Sequence, residues 1–138
     1  MAKIINISEA VTIALHSVIL IAKKNGQQVN VNYIANATES SKFHIAKVLQ
    51  KLVKDGFLGS NRGPSGGFYL IDEPKEVTLL QIYESVEGRI VVSKCPMGKE
   101  TCPLGTCVFE DMTMKMTKEF RDYLDSKTLA DYMIKEDS

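Results

Sequence analysis

All three cysteines of the chain fall within one stretch of thirteen residues, Cys95-Pro96-Met97-Gly98-Lys99-Glu100-Thr101-Cys102-Pro103-Leu104-Gly105-Thr106-Cys107. The two prolines and two glycines there exclude regular structure, so the thiols sit on a loop. An odd cysteine count with no recognisable export signal speaks against structural disulfides and for metal or redox chemistry. Clustered thiolates suit soft metals, with iron-sulfur clusters and zinc as natural occupants and direct thiol oxidation as the alternative. Three cysteines spaced Cys-x6-Cys-x4-Cys leave a fourth coordination position to another residue or another chain. No pair has the Cys-x-x-Cys spacing, and no alternation of strands and helices suggests a thioredoxin-like fold. The two histidines, His16 and His44, are far apart in sequence, and no serine or carboxylate set forms a hydrolytic motif, so the chain reads as a non-enzyme.

The elements that must position such a loop are organised around Val31 to Leu70. Ile45, Val48, Leu49, Leu52 and Val53 recur with helical period, which predicts a helix from about Ser41 to Asp55 with one apolar face. His44, Lys47, Lys51 and Lys54 lie on the other face, with Lys42 in the first turn. Ser40 or Ser41 can cap its start, and Gly56 is placed to stop it. Val31 to Ala37 suffices for a short helix before it, and Thr38-Glu39-Ser40 leaves only a tight turn, so the pair reads as a helix-turn-helix. Phe57 to Arg62 and Gly67 to Ile71 then read as two strands turned by Gly63-Pro64-Ser65-Gly66. This hairpin is a wing, with Arg62 at its tip free to reach phosphate or a minor groove.

Ser8 to Lys24 has the pattern of a first helix, stopped at Asn25-Gly26, with His16 near its apolar face as a partly buried scaffold residue. Thr78-Leu79-Leu80-Gln81 has the capping-box pattern and predicts a helix that ends at Gly88, with Ile90-Val91-Val92 briefly extended after it. From about residue 106 to 126 Phe109, Met112, Met116, Phe120 and Tyr123 form the one-sided stripe of a long helix, for which a second copy is the economical cover. Lys127 to Ser138 is a polar tail carrying Leu129, Tyr132 and Met133. No internal repeat is evident.

The formal net charge is zero, but it is unevenly distributed. Residues 1–70 hold eight Lys or Arg and three acids, +5, whereas residues 71–138 hold nine basic and fourteen acidic residues, −5. An electropositive head joined to an acidic body provides locally what phosphate binding needs. The longest apolar run, Val11 to Ala22, is interrupted by Thr12, His16 and Ser17 and is too short to span a bilayer, so a cytoplasmic protein without membrane contact is expected.

Together these residues resemble the Rrf-two family of winged-helix transcription regulators. The carriers are Ala10-Val11-Thr12, the run Leu49-x-Lys51-Leu52-x-x-Asp55-Gly56-Phe57-Leu58, and above all Arg62-Gly63-Pro64-Ser65-Gly66-Gly67-Phe68-x-Leu70. The resemblance implies a mostly α fold with a small β-hairpin wing: a winged helix-turn-helix DNA-binding domain over residues 1–75 and a dimerisation region over 76–138. That second region would hold the sensor loop, residues 93–107, and the long helix. It implies a homodimer reading a pseudo-palindromic operator on double-stranded DNA, with repression the expected mode. Ser40, Ser41, Lys42, His44 and Lys47 would enter major grooves, and Arg62, Gly63, Pro64, Ser65 and Gly66 would form the wing on the minor groove. It further implies that Cys95, Cys102 and Cys107 ligate a [2Fe-2S] or [4Fe-4S] iron-sulfur cluster that senses redox or nitrosative state, with Glu9, Ser8 or Glu110 as candidate fourth ligand. Cluster-free regulation by thiol oxidation or by a partner protein is the alternative within the same fold. A small electron-transfer or thiol-redox protein is the alternative outside it.

Overall fold

The computed structural model describes residues 6–24, 26–93, 95 and 97–133. Five helices and one hairpin follow in order: α1 (Glu9–Lys23), α2 (Val31–Thr38), α3 (Lys42–Lys54), β1 (Leu58–Asn61), β2 (Gly67–Leu70), α4 (Leu79–Glu87) and α5 (Met112–Ser126). Short 3-10 turns at Pro74–Glu76 and Leu129–Tyr132 precede α4 and follow α5. Four helices start where a polar side chain accepts a free backbone N–H. Ser8 serves Val11 at 3.1 Å, Asn30 serves Tyr33 at 2.9 Å and Ser41 serves His44 at 3.4 Å. Thr78 and Gln81 close the reciprocal box at 3.1 and 2.8 Å. Each such cap is worth about 1 kcal/mol.

The core forms around α1, whose Val11, Ile13, Ala14, Val18, Ile21 and Ala22 are all buried. α3 turns Ile45, Val48, Leu49 and Leu52 toward it, and α4 adds Leu79, Leu80 and Ile82 to the same cluster. At about 1.5–3 kcal/mol per fully buried aliphatic side chain, this shared face outweighs any single polar contact in the molecule. The hairpin is antiparallel with Leu58 opposite Leu70 and Asn61 opposite Gly67. Its root is pinned to the segment entering α2, where Val29 and Phe68 exchange two backbone hydrogen bonds of 2.8 Å.

The chain end returns to this body. Leu79 donates to the Lys127 carbonyl and Leu129 to that of Val77, both at 3.0 Å, and Leu129 is fully buried. The polar composition of the tail gave little sign of this docking.

Three elements differ from the sequence expectation. The long helix begins at Met112 instead of about residue 106, because Glu110 has φ +55°, in the left-handed region that no right-handed helix can include. Ile90-Val91-Val92 pairs with no strand, and the Ile90 N–H is taken by the Glu84 carboxylate at 2.8 Å. His16 is exposed, its Nδ1 donating to the Thr12 carbonyl at 2.7 Å. The Asn25 part of the α1 stop lies outside the described residues.

Gly67 lies where the wing meets Val29. A Cβ there would stand 2.6 Å from the Val29 carbonyl oxygen, a backbone atom that cannot swing aside. Gly67→Ala should therefore cost about 1–3 kcal/mol in a urea unfolding series, the range for overpacking a tight site. An unchanged midpoint would mean the wing is not pinned at Val29.

Candidate nucleic-acid interface and cysteine loop

α2 and α3 are joined by Glu39-Ser40-Ser41. The turn closes because Glu39 adopts φ +55° and ψ +34°, left-handed for a non-glycine residue. Ser41 is the cap of α3, while the Ser40 hydroxyl donates back to the Thr38 carbonyl at 3.3 Å. With its apolar face inward, α3 presents Lys42, Phe43, Lys47, Gln50, Lys51 and Lys54 to solvent. Backbone N–H groups at its start and the lysines along it both favour phosphate. Gly66 donates to the Gly63 carbonyl at 3.0 Å, closing the wing turn with Arg62, Pro64 and Ser65 exposed. Arg62 has no ion pair or side-chain hydrogen bond among the described residues.

His44 is placed differently from the lysines. It is partly buried, with Nδ1 3.2 Å from Glu9 Oε1, so it ties the start of α3 to the start of α1. Glu9, a candidate ligand from the sequence, is thereby engaged by His44. Ser8 is also committed, capping α1 and donating its hydroxyl to Glu87 at the end of α4.

A third polar link joins α3 to α4. Asp55 caps the carboxyl end of α3, where the helix dipole disfavours a negative charge. The Ser85 hydroxyl donates to it and Lys51 lies 2.9 Å away, and these hold its carboxyl below the usual carboxylate range, the Ser85 bond foremost. These contacts outweigh the desolvation that would raise it.

Each cysteine opens a reverse turn. Gly98 donates to the Cys95 carbonyl, Gly105 to that of Cys102 and Glu110 to that of Cys107, all at 3.0 Å. Cys95-Pro96-Met97-Gly98 and Cys102-Pro103-Leu104-Gly105 share the pattern Cys-Pro-x-Gly, a four-residue repeat at odds with the expectation of none. Backbone N–H groups of Lys99, Met97 and Gly98, that of Lys99 foremost, lower the Cys95 thiol pKa. Cys102 is exposed, Cys95 and Cys107 partly so, and all three are free thiols. The structure does not bring them together: among the described residues no three His, Cys, Asp or Glu side chains are arranged to hold a metal ion. Glu110 follows Cys107 in the same turn, and its carboxylate has no polar partner among the described residues.

Two outward residues of α3, Phe43 and Gln50, escaped the sequence reading, which followed the charged positions. The signal was present in Phe43 as an apolar residue on the polar side of an amphipathic helix.

A helix-turn-helix followed by a hairpin wing, with a solvent-facing basic helix, defines the winged-helix class. The model of the Rrf2 family, described as iron-dependent transcriptional regulators, matches residues 7–135. The transcriptional regulator NsrR of Bacillus licheniformis is 30% identical over 127 residues, covering 90% of this chain and 89% of its own. The structure of CymR, the global cysteine regulator of B. subtilis, superposes with a TM-score of 0.80 at 25% identity, covering 94% of this chain and 97% of that one. That of T. potens IscR gives 0.73 at 25% identity, over 92% and 85%. The chain belongs to the Rrf2 family and is a transcriptional regulator, a class without enzymatic activity.

The Asp55 contacts carry a pH signature. Its pKa is depressed on folding, so its contribution is present above the unfolded value near 4 and is lost as pH falls through the folded one. Asp55→Asn should lower stability by up to about 1 kcal/mol at pH 7. Thermal melting as a function of pH should show the difference vanish in acid; an equal deficit at pH 7 and pH 2 would rule the ionised form out.

Proposed function

We propose that two copies of this chain read a pseudo-palindromic operator on double-stranded DNA. Residues 1–75 serve as the reading head and residues 76–138 as the dimerisation and sensor region. The observation that carries the reading is the outward face of α3, whose lysines are solvated while its other side is locked into the core. Ser40, Ser41, Lys42 and Lys47 face the major groove, and the wing from Arg62 to Gly66 takes the minor groove or its phosphates. His44, paired with Glu9, orients the start of α3. Support for the dimer comes from α5 and the turn before it, where Phe109, Met112, Met116 and Tyr123 are 56%, 56%, 39% and 52% exposed. Their one-sided spacing matches the same stripe on a second copy, which brings two heads to bear on two half-sites.

The cysteine loop is the sensor in this reading. As a donor set it fits an iron-sulfur cluster: three thiols on one exposed loop, with Cys95 held toward the thiolate that ligation requires. Cys95, Cys102 and Cys107 would hold the group, and Glu110, which follows Cys107 in the same turn, is a candidate oxygen donor. When bound, a cluster supplies a centre labile to oxidation and to nitric oxide. Among the described residues the three thiols are not grouped to hold a metal, so ligation requires the loop to bring them together.

Operator binding should fall steeply with salt, because phosphate contacts release counterions, and Arg62→Ala should reduce the slope of log K against log salt by about one. A salt-independent affinity would sink the DNA reading, and a sedimentation mass of a single chain on the operator would sink the dimer. Protein purified without oxygen should contain iron and acid-labile sulfide in matching amounts, both lost in Cys102→Ala. A preparation free of both would shift sensing to the thiols alone.

A further inference from the structure

Phe43 is 82% exposed, the most exposed of the large apolar side chains in the described residues. It stands in the first turn of α3, between Lys42 and the cap-bonded His44, on the outward side that Lys47, Gln50 and Lys54 continue at four, seven and eleven residues on. Nothing in the fold uses it. Ser41 caps the helix, and Ile45, Val48, Leu49 and Leu52 supply the packing face. A phenyl ring kept in water among lysines is a poor way to solvate a surface, since any polar residue would serve better. A ring there can make apolar contact but cannot donate or accept a conventional hydrogen bond. Among the base edges of the major groove the apolar feature is the thymine C5-methyl.

We propose that Phe43 is a specificity-determining residue that packs its ring on a thymine C5-methyl in each half-site, so that one operator position is read by shape instead of hydrogen bonding. The proposal rests on the DNA-reading function above. Lys42 and Lys47, both exposed on either side of it, hold neighbouring phosphates and set how deeply the ring enters. Insertion of the ring between base steps is disfavoured, because wedges of that kind act from the minor groove whereas α3 is the helix of a major-groove reader.

The test removes one methyl group at a time. The half-site is selected from random duplexes with the wild-type protein, and each thymine is then replaced singly by deoxyuridine. At one position per half-site the replacement should weaken wild-type binding about 3- to 10-fold, as expected for burying a methyl against a ring. Phe43→Leu should keep most of that preference, whereas Phe43→Ala should bind the thymine and deoxyuridine duplexes alike. Tolerance of deoxyuridine at every position by the wild type, or an undiminished penalty in Phe43→Ala, overturns the assignment while leaving DNA reading intact. A wild-type protein that enriches no sequence and retains no duplex overturns the DNA reading itself, and this proposal with it.

Discussion

α1 is enclosed by α2, α3, α4, β2 and the turn after α5, and what each of those elements can do follows from how it meets that helix. Because so much of its circumference is covered, its middle must be apolar, and its charges are confined to its ends at Glu9 and Lys23. Even Ser17, fully buried, has a hydroxyl with no partner, a cost tolerated where a small side chain fits the packing. With no charge along the middle of α1 and its terminal Glu9 and Lys23 opposite in sign, the positive field of residues 1–70 comes mainly from α3 and the wing.

The same enclosure joins α4, which precedes the cysteine loop, to α3. α4 packs against both α1 and α3, and the segment that leaves it leads into the cysteines. Polar links run beside the packing: Ser85 to Asp55 at the end of α3, Ser8 to Glu87 across α1 and α4, and Glu9 to His44 at the start of α3. These are individually weak and largely exposed, worth about 1 kcal/mol or less each. The packing matters more than these links, since α1, α3 and α4 share one core whose density resists local deformation.

What was legible in the sequence was mostly local. The caps at Ser41 and Thr78, the period of α3, the Gly56 stop and the wing turn are fixed by residues within a few positions of one another, and each appears within two residues of where the pattern puts it. What was illegible depends on distant partners or on a single dihedral. The late start of α5 turns on φ at Glu110, where the apolar period runs on unbroken. Burial of Leu129 depends on the edge of Val77, some fifty residues away, and the pinning of the wing on Val29. At the site, charge drew the reading to the lysines and past Phe43, because an amphipathic pattern is scored by what should face inward. The cysteines are conspicuous by type, but whether their turns bring three donors together is a property of backbone geometry that no spacing rule encodes, and among the described residues they do not.

A chain of zero net charge is an unpromising ligand for DNA only if charge is summed over distances that water and salt do not allow. The Debye length at physiological ionic strength is about 8 Å, so acids on α5 more than that distance from a phosphate at α3 are largely screened. Within that range α3 exposes Lys42 and Lys47 beside the N–H groups of its first turn, and residues 1–70 carry +5. At longer range the two halves cancel, which removes the steering field that would otherwise draw the protein to any duplex. The cancellation lowers the rate of encounter with a duplex and leaves the contact electrostatics, which act inside the Debye length, to the exposed lysines of α3 and to Arg62.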